Sequence, residues 1–302
     1  MKVLVATDLS PHGNLAVDLA RSTDWGADTT IRVVTILQPF AGGTALEMNA
    51  YALDESLIPG LRKELQGVAY KVKRPGVSVE YEVFVGRPAD VIVREAEDVQ
   101  ADLVIVGSRG RGPLATTLLG SVAAEVVDRS PCPVLVARRP ALNKIVFAED
   151  GSQGAAEALA YLTTSPMAAT FRNVPVQVAS VVDTTMPWAA SSGIDGYAIA
   201  GAYEACQLAV DAQRADLQKR CAATAEVFAK QGLRTTTVTR EGHPAAELIG
   251  AAEASDGDLI VIGSRGRTGL TRMVLGSVAR NVLTHAKCSV LIVLQKTGRP
   301  VA

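Results

Sequence analysis

The chain is short of several things that would mark a function class. Aromatic residues make up 4% of its 302 residues, too few for the stacking platforms on which single-stranded nucleic acid lies. Positive charge is not in excess either: 30 Lys plus Arg stand against 31 Asp plus Glu, so no net field favours a nucleic-acid backbone. We expect no nucleic-acid partner. Four cysteines and no Cys-x-x-Cys pair fit neither a disulfide framework nor a zinc site, and point to a reduced, cytoplasmic setting. No apolar run approaches the roughly 20 residues of a membrane-spanning helix, although 48% of the residues are hydrophobic. We expect no membrane partner, and apolar residues that form core. The opening Met1-Lys2-Val3-Leu4-Val5-Ala6-Thr7-Asp8 lacks the basic region, apolar core and cleavage site of a secretory signal.

Catalytic motifs are missing too. The P-loop pattern Gly-x4-Gly-Lys-Ser/Thr, the Gly-x-Ser-x-Gly elbow, His-x-x-x-His and a Gly-x-Gly-x-x-Gly after the first strand do not occur. There are three histidines: His12, His243 and His285. Arg87 stands where His243 would recur, and Gly154 is near the place of His12. A shared histidine mechanism is therefore disfavoured; surface loops suit His12 and His243, and a helix C-terminus suits His285. We assign no catalytic residue.

What is present is written twice. Gly107-Ser-Arg-Gly110, nine residues, then Gly120-Ser121 recurs as Gly263-Ser-Arg-Gly266, nine residues, then Gly276-Ser277. Outward from these phrases, Lys2 to Asp8 matches Lys144 to Asp150, each an apolar strand ending in Asp. Ser10 and Ser152 then read as caps of a following helix. Second strands are expected at 31–37 and 176–182, third at 77–85 and 235–240, fourth at 102–106 and 258–262, and fifth at 134–137 and 290–294. Between them, helices are expected at 61–71 and 203–231, the latter stopped by Gly232. Further helices follow at 89–97 and 245–254, after the turns Gly86-Arg87-Pro88 and Gly242-His243-Pro244. The last pair is expected at 122–128 and 278–284. Gly42-Gly43 and Pro59-Gly60 read as loop signals. Leu208, Val210, Leu217 and Val227 make the long helix a packing helix, and Cys132 and Cys288, each ahead of a fifth strand, read as buried strand cysteines. Residues 138–143 have linker composition. We place one domain at 1–139, the second at 144–297 and the linker at 140–143.

Continuous apolar strands alternating with helices specify an open α/β fold, with a mostly parallel sheet in each copy covered on both faces. Ligands of such sheets sit beyond the carboxyl ends of the strands. Asp8, Asp150 and both glycine phrases stand there. Glycine lets backbone N–H groups approach a bulky anion, and a helix opening after Gly120-Ser121 or Gly276-Ser277 adds free N–H donors and a positive dipole end. Ser121 and Ser277 either donate a hydroxyl to phosphate or cap the helix. Arg109, Arg111, Arg265 and Arg267 either offset ligand charge or are solvated loop cations. A bare Asp8 or Asp150 carboxylate repels a triphosphate, unless Mg²⁺ reverses the sign or the Asp orients the nucleoside.

With these motifs, in this order and twice over, the chain resembles the universal stress protein family in its ATP-binding branch, along essentially its whole length. The resemblance implies two tandem Rossmann-like domains of strand order 3-2-1-4-5, each holding ATP between strands one and four. By position, Gly107 and Gly110 would border ribose and phosphates, and Gly120, Ser121 and Val122 would hold the phosphates. Gly263, Gly266, Gly276, Ser277 and Val278 are the second set. Ile36 and Val181 match the adenine contact at the end of strand two. The family's pairing through fifth strands implies a pseudo-twofold dimer within the chain, and further pairing into a homodimer.

Three functions compete on this reading: a nucleotide-loaded stress-response or regulatory protein with little hydrolysis, a slow Mg-dependent ATPase or nucleotidyl-transfer enzyme, and a nucleotide-free scaffold. The glycine phrase reads phosphate rather than base, so ATP, ADP, AMP and cyclic nucleotides all satisfy it.

Overall fold

The computed structural model describes residues 1–38, 56–110, 119–184, 196–266 and 275–294, with the side chains of 196–206 left aside. In the first half, β1 (Lys2–Ala6), β2 (Thr29–Leu37), β3 (Val77–Val85), β4 (Leu103–Gly107) and β5 (Val134–Ala137) alternate with α1 (Pro11–Ser22), α2 (Leu57–Tyr70), α3 (Pro88–Asp98) and α4 (Ser121–Arg129). The second half has β6 (Ile145–Ala148), β7 (Val176–Asp183), β8 (Thr235–Gly242), β9 (Leu259–Gly263) and β10 (Ser289–Val293). Its helices are α5 (Gln153–Thr164), α6 (Met167–Thr170), α7 (Gly196–Lys230), α8 (Pro244–Ala254) and α9 (Ser277–His285).

Local chemistry accounts for most boundaries. The Ser10 and Ser152 hydroxyls accept from the N–H groups of Gly13 and Ala155 at 3.0 and 3.1 Å, capping α1 and α5 as expected; such a cap is worth about 1 kcal/mol. Pro88 and Pro244 open α3 and α8, where a missing N–H costs no helical bond. Gly86 and Gly242 precede them with φ of +147° and +136°, a backbone that strains any residue with a Cβ. Pro59-Gly60 does not end an element: it lies in the first turn of α2, where proline is tolerated for the same reason. The short α6 was not expected from the sequence.

The strands run in the order β3-β2-β1-β4-β5-β10-β9-β6-β7-β8. Each half by itself follows 3-2-1-4-5 with parallel pairing, but the two do not form separate sheets. β5 and β10 pair antiparallel, with Leu135 opposite Leu291, Val134 opposite Ile292 and Val136 opposite Val290. The result is one mixed ten-stranded sheet, turned about the Leu135–Leu291 pair. Alternate strand residues feed two cores. Val5, Ile105, Phe147 and Val261 face α1, α2, α5 and α7 on one side, while Leu4, Val104, Val146 and Ile260 face α3, α4, α8 and α9 on the other. Each fully buried Leu, Ile or Phe contributes about 1.5–3 kcal/mol, which is why strands this apolar demand cover on both faces.

Polar contacts also cross the seam. The Tyr161 hydroxyl donates to the Asp102 carbonyl oxygen at 2.9 Å, and burial pushes that phenol well above its ordinary range, so it stays a donor. Arg280 of α9 pairs with Asp128 of α4 at 2.9 Å. The Arg138 guanidinium donates to the carbonyl oxygens of Leu283 and Cys288, and desolvation lowers it to about 10, still charged at neutral pH.

Packing within α7 differs from expectation. Among its described side chains Leu217, Cys221, Thr224, Ala225 and Phe228 are buried, while Leu208 and Val227 are exposed. Phe228 meets Phe147 of β6 edge to face, with ring centroids 5.3 Å apart. Cys132, Cys221 and Cys288 are buried free thiols. Burial pushes Cys221 up and Cys288 to about 11. Alkylation of Cys288 in the folded protein at pH 8 is expected to run about a hundredfold slower than after unfolding. Peptide mapping after timed iodoacetamide exposure checks this; equal rates in both states would contradict the burial.

Candidate functional site

The carboxyl ends of β1 and β4, and of β6 and β9, meet at the places where the strand order reverses. There the chain leaves β1 through Thr7, whose N–H donates to the Val34 carbonyl at 3.0 Å, and leaves β6 through Glu149, bonded likewise to Ala179 at 2.8 Å. These bonds place Ile36 and Val181 at corresponding positions, each two residues further along its strand. Both are half-buried and pack on the α3/α4 or α8/α9 core.

The next residues are the aspartates. Asp8 Oδ1 accepts the Ser10 N–H at 3.1 Å and the Ser10 hydroxyl at 2.6 Å. Asp150 Oδ1 accepts the Ser152 N–H at 2.9 Å. Both therefore brace the turn into α1 or α5 as well as facing the cleft. That turn needs one left-handed residue, supplied by Leu9 at φ +62° in one half and by Gly151 at φ +75° in the other.

Across the cleft, the glycine phrases are crowded by backbone. A Cβ at Gly107 would stand 2.6 Å from the His12 carbonyl oxygen, and one at Gly263 would stand 2.4 Å from the Gly154 carbonyl carbon. Side chains there would drive α1 and α5 off the sheet. A Cβ at Gly110 or Gly266 would come within 2.9 or 3.0 Å of Oδ2 of Asp8 or Asp150. Aspartate and glycine loop are thus in contact in both halves. The loops are then closed onto the next helix: the Gly120 N–H donates to the Ser108 carbonyl at 2.7 Å, and the Gly276 N–H to that of Ser264 at 2.8 Å.

Gly120 and Gly276 are themselves the N-cap residues, with no side-chain cap bond. Ser121 and Ser277 are the first helical residues, exposed, and do not cap; the helices begin one residue earlier than expected. A side-chain cap there would occupy the very N–H donors an anion needs. Val122 is 37% exposed and Val278 half-buried on the same first turns. Arg109 and Arg265 are half-buried in corresponding places, whereas Arg111 and Arg267 lie outside the described residues. The histidines fall apart spatially. His12 is exposed in the first turn of α1 rather than in a loop, His243 is the exposed N-cap of α8, and His285 ends α9. Among the described residues no group of three or more His, Cys, Asp or Glu is placed to hold a metal, and no helix is long and apolar enough to cross a membrane.

The same cradle occurs at both switch points, and its sequence profile decides the family. The profile of the Universal stress protein family matches residues 1–138 and again 141–293. The chain belongs to the universal stress protein family. Among its relatives in that family, a universal stress protein of Mycobacterium tuberculosis is 29% identical over 243 residues, spanning 78% of this chain and 74% of the relative. One of Methanocaldococcus jannaschii is 34% identical over 147 residues, 46% of this chain and 82% of the relative. The crystal structure of a universal stress protein from Archaeoglobus fulgidus superposes with a TM-score of 0.62 at 18% identity, covering 98% of both chains. That likeness bears on fold alone.

Two features of the second site escaped the sequence reading. Glu149, in the place of Thr7, is buried, accepting from the Gly151 N–H at 2.8 Å and from the Thr224 hydroxyl of α7 at 2.7 Å. Arg220 of α7 lies over Gly151, its Nε 2.9 Å from where a Cβ there would stand. The exchange of Thr7 for Glu149 was visible as a mismatch between the copies. The long helix gave no comparable signal, because only folding brings it to the turn.

Proposed function

We propose that each half binds one adenine nucleotide at its glycine cradle, and that the loaded chain acts as a stress-response or regulatory protein with little or no hydrolysis. The observation that carries this reading is the duplicated cradle. In both halves a glycine-flanked turn is held against a helix N-terminus without a side-chain cap, and no reactive nucleophile–base pair is built beside it among the described residues. Backbone N–H groups and a helix dipole favour a phosphate without transforming it. In the first half Gly107, Arg109, Gly110, Gly120, Ser121 and Val122 would hold the phosphates and ribose, with Asp8 and Ile36 toward the nucleoside. In the second, Gly263, Arg265, Gly266, Gly276, Ser277 and Val278 would do so, with Asp150 and Val181. The family resemblance favours ATP as the ligand. Its phosphates would supply most of the ligands of any accompanying Mg²⁺, with a single carboxylate from the protein.

Denaturing the freshly purified chain and quantifying released nucleotide by chromatography tests the reading. The expected result is close to two molecules of ATP per chain. Mostly ADP would bring the slow ATPase forward, and a chain that is empty and fails to bind added ATP would leave the scaffold.

A further inference from the structure

The two cradles match residue for residue, but the helices beside them do not. In α2 the buried residues Leu65, Val68 and Ala69, with Val72 just beyond, have the same spacing as Cys221, Thr224, Ala225 and Phe228 of α7. On that correspondence Val68 takes the place of Thr224. One helical turn earlier, Glu64 takes the place of Arg220. Thr224 bonds Glu149, whereas Thr7 turns to Asn14 and the Leu9 N–H, at 3.0 Å each.

Arg220 lies beside the turn at the second cleft. The buried Glu149–Thr224 bond ties the adjoining turn of α7 to the end of β6. Asp216 holds Arg220 Nε at 2.7 Å, and the carboxylates of Glu149 and Asp150 lie within its electrostatic reach. Gly151 leaves room for the guanidinium directly over the turn that carries Asp150. The α9 N-terminus belongs to the opposite face of the sheet. On the reading above, which puts Asp150 and Val181 at the nucleoside end, Arg220 stands beside that end through the Asp150–Gly151 turn.

We propose that Arg220 is a ligand-contacting, specificity-determining residue of the second site, donating to an acceptor atom at the nucleoside end of the nucleotide. This rests on the nucleotide reading above. In α2 the residue aligned with Arg220 is the exposed Glu64, and a carboxylate offers acceptors only. The two sites thus differ in affinity for one nucleotide, and the second takes a ligand with an acceptor either on the ribose or on the base edge.

Calorimetric titration of the full chain, cleared of nucleotide, with ATP tests this. Two affinity classes are expected, and Arg220→Ala should weaken one of them about tenfold, as for loss of a charged hydrogen bond, leaving the other unchanged. Arg220→Lys should restore part of the loss. The Arg220–Asp216 pair is exposed and contributes little to stability, so an unchanged melting temperature marks a folded variant. Repeating the titrations with 2′-deoxy-ATP narrows the acceptor: disappearance of the Arg220→Ala effect assigns the ribose 2′-hydroxyl, and its persistence assigns the 3′-hydroxyl or the base edge. Two bound ATP molecules whose affinities are unmoved by Arg220→Ala would overturn the proposal and leave the nucleotide reading standing. No binding by the wild-type chain would overturn both.

Discussion

Replacing Ser121 and Ser277 together by glutamate is expected to abolish nucleotide binding while leaving the fold at least as stable. Both serines are exposed first residues of α4 and α9. A carboxylate in the first turn of a helix complements the dipole and is worth about 0.3–1 kcal/mol in stability. The same carboxylate opposes an anionic ligand. At about 4 Å each pair of unit charges costs about 1 kcal/mol in water and about 4 kcal/mol at an effective dielectric of 20. Summed over a polyphosphate, that amounts to a loss of about a hundredfold or more in affinity. Equilibrium dialysis with ATP, beside thermal unfolding, makes the comparison. Binding retained within a few-fold would mean that the phosphates do not sit at these helix ends.

The largest effect on stability is expected from Gly263→Ala. A Cβ there would stand 2.4, 2.5 and 2.7 Å from the carbonyl carbon, carbonyl oxygen and Cα of Gly154. These are backbone atoms that cannot rotate away, so α5 must shift from β9. We expect a loss of about 3 kcal/mol or more, the upper end of the cost of overpacking. Gly67→Ala is the contrasting control. Gly67 lies inside α2 with nothing within 4 Å of the added methyl, so alanine should stabilise by about 0.5–1 kcal/mol. Urea unfolding of both variants decides. If Gly263→Ala were no worse than the wild type, the close crossing of α5 over β9 would not hold.

The legible part of this protein lies where local chemistry and periodicity coincide. The Ser caps, the Gly-x-Pro turns with positive φ, and the apolar strands were readable because each depends on residues within a few positions of one another. The candidate cradle was readable for a related reason: glycine is needed where backbones touch, and Gly107, Gly110 and Gly120 announce those contacts by type and spacing alone. Signals failed where a residue serves two readings. Pro59-Gly60 marks a loop or a first helical turn equally well, and Ser121 caps a helix or begins it, depending on one dihedral angle at Gly120, whose ψ of 156° is extended.

By itself the amino-acid sequence determined that the chain is a duplication, that each copy alternates strand and helix with glycine-rich turns at the strand ends, and which family it resembles. The fifth-strand pairing that the resemblance implied is realised as one ten-stranded sheet, and tertiary structure decided its antiparallel register, Leu135 opposite Leu291, between edges far apart along the chain. It also decided that the two sites are unlike: Arg220 and Thr224 lie some 70 residues from the Glu149–Gly151 turn they meet, and no local pattern encodes a contact made by packing a long helix across a sheet.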